Sequence, residues 1–199
     1  MNEDKINSYI DSFVEGFRSL MFSEETIKHM RKHIKFIKVK SKGTLILPGE
    51  ICKNLYFVFQ GGFVCRYVHP KTGAANTINF YLDDLHPFMA CVDSYFVQVP
   101  TECELKAVTD SMVFALPKRE IEVLREKDKH FSTFHDELIS IAITEENEVK
   151  TKLIAYSSKE KYDFILQEMP SVIQTVPSKY IAEFCGISAE WLSKLKKQV

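Results

Sequence analysis

Residues 34–116 constrain this chain most. Seven short apolar or alternating runs, FIKV, TLIL, LYFVFQ, GFVCRYV, NTINFYL, CELKAV and MVFAL, are separated there by SKG, PGE, QGG and HPKTG. Runs of this length, rich in β-branched and aromatic residues and broken by glycine and proline, read as strands joined by turns. Many short strands at close intervals, with glycine and proline turns, point to a sandwich or barrel. HPKTG, between GFVCRYV and NTINFYL, is predicted to be a hairpin loop.

The periodicity changes on both sides of this region. Residues 7–35 have helical spacing, with Ser23 three residues before Thr26 and with Ile27, Met30 and Ile34 apolar. Residues 118–155 also read as helix, in one piece or two. Within them Phe131, Phe134, Leu138, Ile141, Ala142, Val149 and Leu153 lie close to a three-and-four alternation. Such a seam needs a partner, either the β-region of the same chain or a second copy. Glu145, Glu146 and Glu148 interrupt it, which argues against a long regular coiled coil.

The last segment, VPSKYIAEFCGISAEWLSKLKKQ, has the spacing of a helix-turn-helix. Two helices crossing steeply need a small residue at the contact and a left-handed turn, and Ala182 and Gly186 meet those demands. Ser188 is placed to cap the second helix. Ile181, Ile187, Leu192 and Leu195 form a buried stripe, leaving Ala189, Glu190, Ser193, Lys194 and Lys197 for an outer face that would enter a DNA major groove. Ser178 and Lys179, at the start of the first helix, would approach phosphates, together with Ser188 and Lys197. Trp191 would pack against the sensor part or lie along the sugar-phosphate backbone, and packing is the preferred role. The sequence ends at Val199, soon after this helix, so any strands of such a module are expected to precede it.

With 199 residues, 45% apolar and 12% aromatic, the chain has ample material for a core. Cys52, Cys65, Cys91, Cys103 and Cys185 show no C-x-x-C spacing and are odd in number, so reduced, buried thiols are expected. No apolar run approaches the length of a membrane span, and the start lacks the basic-then-apolar order of a secretion signal; a cytoplasmic protein is expected. Net charge is −1 overall, with a surplus of +2 from position 151 onward and −3 before it. That asymmetry, though small, suits a terminal nucleic-acid-binding part.

The stretch KGTLILPGEICKNLYFVFQGGFV resembles the strand-turn-strand core of cyclic-nucleotide-binding domains, with Gly43, Gly49, Glu50, Leu55, Phe57 and Gly61 matching its turn glycines and apolar positions. Together with the terminal helices and the order of the parts, it makes the chain similar to Crp/Fnr-type transcription regulators. The segment SSKEKYDFILQEMPSVIQTVPSKYIAEFCGISAEWLSKLKK is particularly similar to members from the Bacteroidetes group. The resemblance implies an α+β protein: a sensor β-roll of cyclic-nucleotide-binding type with N-terminal helices over 1–117, a long connecting and dimerisation helix over 118–155, and a helix-turn-helix over 156–199. It further implies a homodimer on double-stranded DNA, contact with RNA polymerase as a further possibility, and a small-molecule effector.

At the ligand site the sequence departs from the family. Binders of cyclic nucleotides carry F-G-E and a later arginine before a small residue; here Phe88 is followed by Met89 and Ala90, while Pro100, Thr101, Glu102 and Cys103 stand near the arginine position. No lysine or arginine occurs in that stretch before Lys106, and a buried phosphate beside Glu102 lacks a cation. Cyclic AMP is therefore not expected to bind in the usual way. The pocket around Phe88, Met89, Ala90, Thr101 and Glu102 would hold an apolar or carboxylate ligand, or be filled by Phe88, Tyr95 and Phe96.

Other chemistries lack their residues. The first cysteine is Cys52, too late for an N-terminal iron–sulfur cluster, and Cys65, Cys91, His69 and His86 are isolated candidates for heme ligation, which is not expected. His29 and His33 are spaced to grip a metal from one helix, but no third ligand is apparent and a solvated face is the preferred reading. No H-x-H of a cupin, nucleophile elbow or phosphate-binding glycine loop occurs, so an enzyme is not expected. Two other readings are a regulator acting through protein contacts with weakened DNA binding and, further off, a cupin-like small-molecule-binding protein.

Overall fold

All seven apolar runs are strands. In the computed structural model, which describes residues 3–197 apart from the side chain of Glu3, they form β1 (Lys35–Val39), β2 (Thr44–Ile46), β3 (Asn54–Gln60), β4 (Gly62–Val68), β5 (Ala75–Leu82), β7 (Cys103–Ala107) and β8 (Ser111–Pro117). A two-residue strand, β6 (Phe88–Met89), pairs with Tyr56 and Phe57 of β3. Met1, Asn2, Gln198 and Val199, which the sequence reading assigned to the two terminal parts, lie outside the described residues.

Two antiparallel four-stranded sheets result, in the orders β1-β8-β3-β6 and β2-β7-β4-β5. HPKTG closes the β4–β5 hairpin: the His69 N–H donates to Ala74 O at 2.8 Å, and Gly73 takes φ +69°. Strand alternation creates three apolar layers rather than one. Val58, Val113, Phe63, Cys65 and Leu105 fill the space between the sheets. Phe57, Phe59, Phe114 and Leu116 point out of the first sheet, and Val64, Phe80 and Leu82 out of the second. Because both faces of these strands are covered, LYFVFQ and MVFAL read as nearly continuous apolar runs.

Helices supply the two covers. Over the first sheet lie α1 (Glu3–Gly16), α2 (Glu24–His33), α4 (Lys118–Lys127) and the start of α5 (Lys129–Ala155). Their contact is largely aromatic: Phe13 stacks on Phe114 at 4.4 Å between ring centres, and Phe22 meets Phe131 at 5.3 Å. Over the second sheet lie α6 (Ser158–Glu168), α7 (Pro170–Thr175), α8 (Ser178–Cys185) and α9 (Ala189–Lys196). Among the described residues no strand precedes α8 within this terminal part; α6, opened by a capping box of Ser157 and Glu160, and α7, opened by Pro170, occupy that place. The short α3 (Val92–Tyr95) lies between β6 and β7.

The helical region after the sheets breaks at Asp128. One of its carboxylate oxygens accepts from the N–H groups of His130 and Phe131 and so caps α5; the other accepts from Ser23 N–H at 2.8 Å and Thr26 Oγ1 at 2.7 Å at the start of α2. From this joint the 27 residues of α5 run about 40 Å. Phe131 and Phe134 pack under the N-terminal helices, and Val149 and Leu153 against the terminal ones, so the chain itself covers both ends of the predicted seam. Ile141 and Ile143, in the middle, are exposed. No helix of the described residues is long and apolar enough to cross a membrane.

Candidate nucleic-acid interface and ligand pocket

The α8–α9 pair is built as its spacing predicts. Gly186 adopts φ 67°, ψ 36°, which lets the Ile187 N–H reach Ala182 O at 3.0 Å and close the end of α8. Ser188 Oγ accepts from Trp191 N–H at 3.1 Å and opens α9. Ala182 and Ile181 are buried at the crossing, as are Leu192 and Leu195 of α9. Helical spacing then puts Ala189, Glu190, Ser193, Lys194 and Lys197 on the opposite side, and all five are exposed. The hydroxyl of Ser188, then its own backbone, hold the Glu190 carboxyl below its usual range, so it is an acceptor at neutral pH.

Trp191 corrects the expectation of packing. It is 46% exposed, with Lys194 Nζ 5.8 Å from its ring centre. The stripe of Leu192 and Leu195 already fills the interior contact, so the neighbouring position turns outward. Ser178 and Lys179 are exposed at the start of α8; Ser178 Oγ accepts from Lys196 Nζ at 2.7 Å, and Lys179 lies over the Tyr180 ring. The seven predicted residues, Ser178, Lys179, Ser188, Ala189, Glu190, Lys194 and Lys197, are thus all exposed on one helical pair.

Sequence reading missed how this pair is held. Glu183, on the inner side of α8, accepts from Arg66 Nε at 3.1 Å, Arg66 Nη2 at 3.0 Å and Thr77 Oγ1 at 2.8 Å. Arg66 Nη1 also donates to Glu104 at 2.6 Å, and its guanidinium lies over the Tyr180 ring. Beside it the Phe80 and Phe184 rings are 4.7 Å apart. These contacts fasten α8 to β4 and β5. The available sign was that Arg66 shares strand parity with outward-facing Val64; nothing local pointed to Glu183.

The five predicted pocket residues do not converge. Met89 and Ala90 are buried between the sheets, whereas Phe88 faces the other way, against Phe57 at 5.1 Å and towards Phe134. Thr101 Oγ1 lies 2.8 Å from both oxygens of Asp93, and Glu102 is exposed, its N–H donating to Asp93. Of the side chains expected to fill the interior, Tyr95 does so and Phe96 is exposed. The filling is completed by Met89, Tyr56 and four thiols, since Cys52, Cys65, Cys91 and Cys103 share this core. Contact with Cys91 and burial push the Cys52 thiol up, and contacts with Cys103 and Cys91 together with burial do the same for Cys65, so both stay neutral.

Phe88 instead lines a cavity of about 50 Å³ between the first sheet, α2 and α5, together with Phe57, Phe114, Phe134 and His135. That space takes a few waters; a nucleotide needs several times more. His135 Nδ1 is buried with no hydrogen-bond partner among the described residues. A further correction concerns His29 and His33. They are half-buried rather than solvated, and Glu120 of α4 meets them, with its Oε2 2.8 Å from His29 Nε2 and 3.6 Å from His33 Nδ1. A residue 91 positions away supplies the third group that the sequence did not reveal.

A jelly roll covered on both sides, a long helix and a terminal helical pair make up the fold of the Crp/Fnr regulators with their cyclic-nucleotide-binding-like domain. FixK2 from Bradyrhizobium japonicum superposes with a TM-score of 0.69 at 13% identity, over 83% of each chain. A putative transcriptional regulator of the Crp/Fnr family from Eubacterium rectale gives 0.67 at 14%, over 88% of this chain and 82% of its own. The c-di-GMP-responsive global regulator CLP of Xanthomonas campestris gives 0.65 at 12%, over 88% and 91%. At such identities the likeness is one of fold. No protein-family model matches the sequence, and no curated protein is similar to it beyond chance.

Proposed function

We propose that this protein is a homodimeric, DNA-binding transcription regulator of Crp/Fnr type and not an enzyme. The observation that carries the reading is the α8–α9 pair: a left-handed glycine turn, a serine-capped second helix, and Ala189, Glu190, Ser193, Lys194 and Lys197 exposed opposite buried Leu192 and Leu195. Glu190 accepts from a cytosine amino group, Lys194 donates to guanine and Ala189 meets a thymine methyl. Ser178, Lys179, Ser188 and Lys197 approach phosphates. Exposed Ile141 and Ala142 on α5, in the middle of the predicted seam, are the place for a second copy, which would set two recognition helices about one DNA turn apart.

Asp93 beside Thr101, and exposed Glu102 next to it, support the reading that cyclic AMP is not the effector, since both would repel its phosphate. The effector proposed instead is a small apolar or carboxylate molecule, which would have to widen the cavity of about 50 Å³ beside Phe88 and His135.

Selection of bound fragments from random duplex DNA at near-physiological salt, with and without a dialysed cell extract as a source of small ligands, tests this function. An enriched palindrome is expected, with enrichment dependent on the dialysate. Absence of enrichment in both conditions would overturn the DNA-binding reading.

A further inference from the structure

Two histidines one turn apart on α2 and a buried glutamate on α4 meet at a single point. The carboxylate oxygen Oε2 of Glu120 is 2.8 Å from His29 Nε2 and 3.6 Å from His33 Nδ1, and the imidazoles stack with centres 4.4 Å apart. Among the described residues this is the one grouping of three histidine, cysteine or acidic ligand atoms lying within 4.8 Å of one another. Nitrogen and oxygen ligands of a tetrahedral zinc ion, bonded at about 2.0–2.1 Å, stand roughly 3.3 Å apart. The two separations from Glu120 Oε2 bracket that value and all three ligand atoms lie within 4.8 Å of one another, so side-chain rotation would close the set around an ion.

Burial and charge agree with this geometry. The Glu120 side chain is 10% exposed and those of His29 and His33 23% and 26%, which leaves a way in from solvent. Arg119 Nε donates to Glu120 Oε1 at 2.9 Å, orienting the carboxylate so that Oε2 faces the histidines. Burial works against the charge on Glu120, but the His29 hydrogen bond and the nearby His33 and Arg119 outweigh it and hold the carboxyl below its usual range. The group offers two imidazole nitrogens and one carboxylate oxygen, a donor set suited to borderline divalent ions.

We propose that His29, His33 and Glu120 form a binding site for a divalent transition-metal ion of the zinc type, with water in the fourth position. The ion fastens α2 to α4, immediately before the Asp128 joint from which α5 starts. Its occupancy thereby stiffens the base of the long helix.

The test uses the full chain, freed of metal by a chelator and dialysed, then titrated with zinc chloride against a chromogenic competitor at neutral pH. One zinc per chain is expected, with the melting temperature raised by roughly 5–10 °C at about a hundredfold excess over the dissociation constant. His29→Gln and Glu120→Gln should each weaken binding about tenfold or more. His33→Ala, at the most exposed ligand, keeps the comparison valid if Glu120→Gln fails to fold, and circular dichroism verifies that its fold is retained. Cobalt(II) should give a tetrahedral spectrum without thiolate charge-transfer bands. No saturable zinc uptake by the folded chain, uptake unchanged in His29→Gln and His33→Ala, or cobalt bands from thiolate would each overturn the site.

Discussion

Arg66 on β4 holds the Glu183 carboxylate on α8 at two points, 3.1 and 3.0 Å, across 117 positions of sequence. The contact joins the jelly roll to the helical pair proposed to read DNA. Both side chains are largely withdrawn from water, and Thr77 and Glu104 complete their hydrogen bonding, so the carboxylate is committed to this one docking geometry.

Arg66→Ala leaves Glu183 and Glu104 without their shared cation and is expected to weaken docking by about 2 kcal/mol. Hydrogen exchange of the α8 amides should accelerate while the sheet core stays protected. A double-mutant cycle with Glu183→Ala measures the pair itself, and a coupling near zero would assign the docking to Phe80 and Phe184 instead.

Asp128 joins α2 to α5. Burial raises its carboxyl, but hydrogen bonds from Thr26, Ser23 and Phe131 prevail and lower it to about 2. Since the unfolded value is about 3.9, the stabilisation is complete above roughly pH 4 and is lost as the pH falls through about 2. Asp128→Ala should cost about 2 kcal/mol at neutral pH and flatten the acid limb of the stability curve, read from denaturant midpoints between about pH 2 and 7.

His135 is buried, its Nδ1 making no hydrogen bond and lying 3.6 Å from Asp136 Oδ1, and burial followed by Arg125 lowers its affinity for a proton against the pull of Asp136. It is therefore neutral in the fold, and the stability it permits is complete above the unfolded value of about 6.5 and declines as pH falls below that. His135→Leu is expected to raise stability by about 1 kcal/mol at neutral pH and to reduce the loss on acidification. Thermal melts at two pH values decide this, and an unchanged pH slope would mean that the ring finds a partner in solution.

Lys194 and Lys197 have different proposed tasks on α9. Lys194→Ala should weaken binding to the selected DNA by about 1–3 kcal/mol and random DNA much less, whereas Lys197→Ala should weaken both alike and reduce the salt slope by about one. Equal losses on both DNAs for both variants would remove that division.

The strands were legible because each apolar run is short and bounded by glycine or proline, and the open side of α9 because its period of 3.6 separates Leu192 and Leu195 from Glu190 and Lys194. The two-residue β6 carries too few positions for a pattern. Trp191 was assigned inward on the habit of its residue type, although the leucine stripe had already taken the inner side. The pocket residues were grouped by their nearness in sequence, while alternation along β6 sends Phe88 and Met89 to opposite faces.

By itself the sequence determined the seven longer strands, the helical regions on either side of them, the left-handed turn at Gly186 and the buried stripe of α9, because these follow from local backbone preference and periodic burial. Tertiary structure alone decided that Arg66 meets Glu183, that Glu120 meets His29 and His33, and that four scattered cysteines share one core. Such pairings depend on which faces of distant elements are pressed together, and that is set by the packing of three apolar layers at once, which no local pattern encodes.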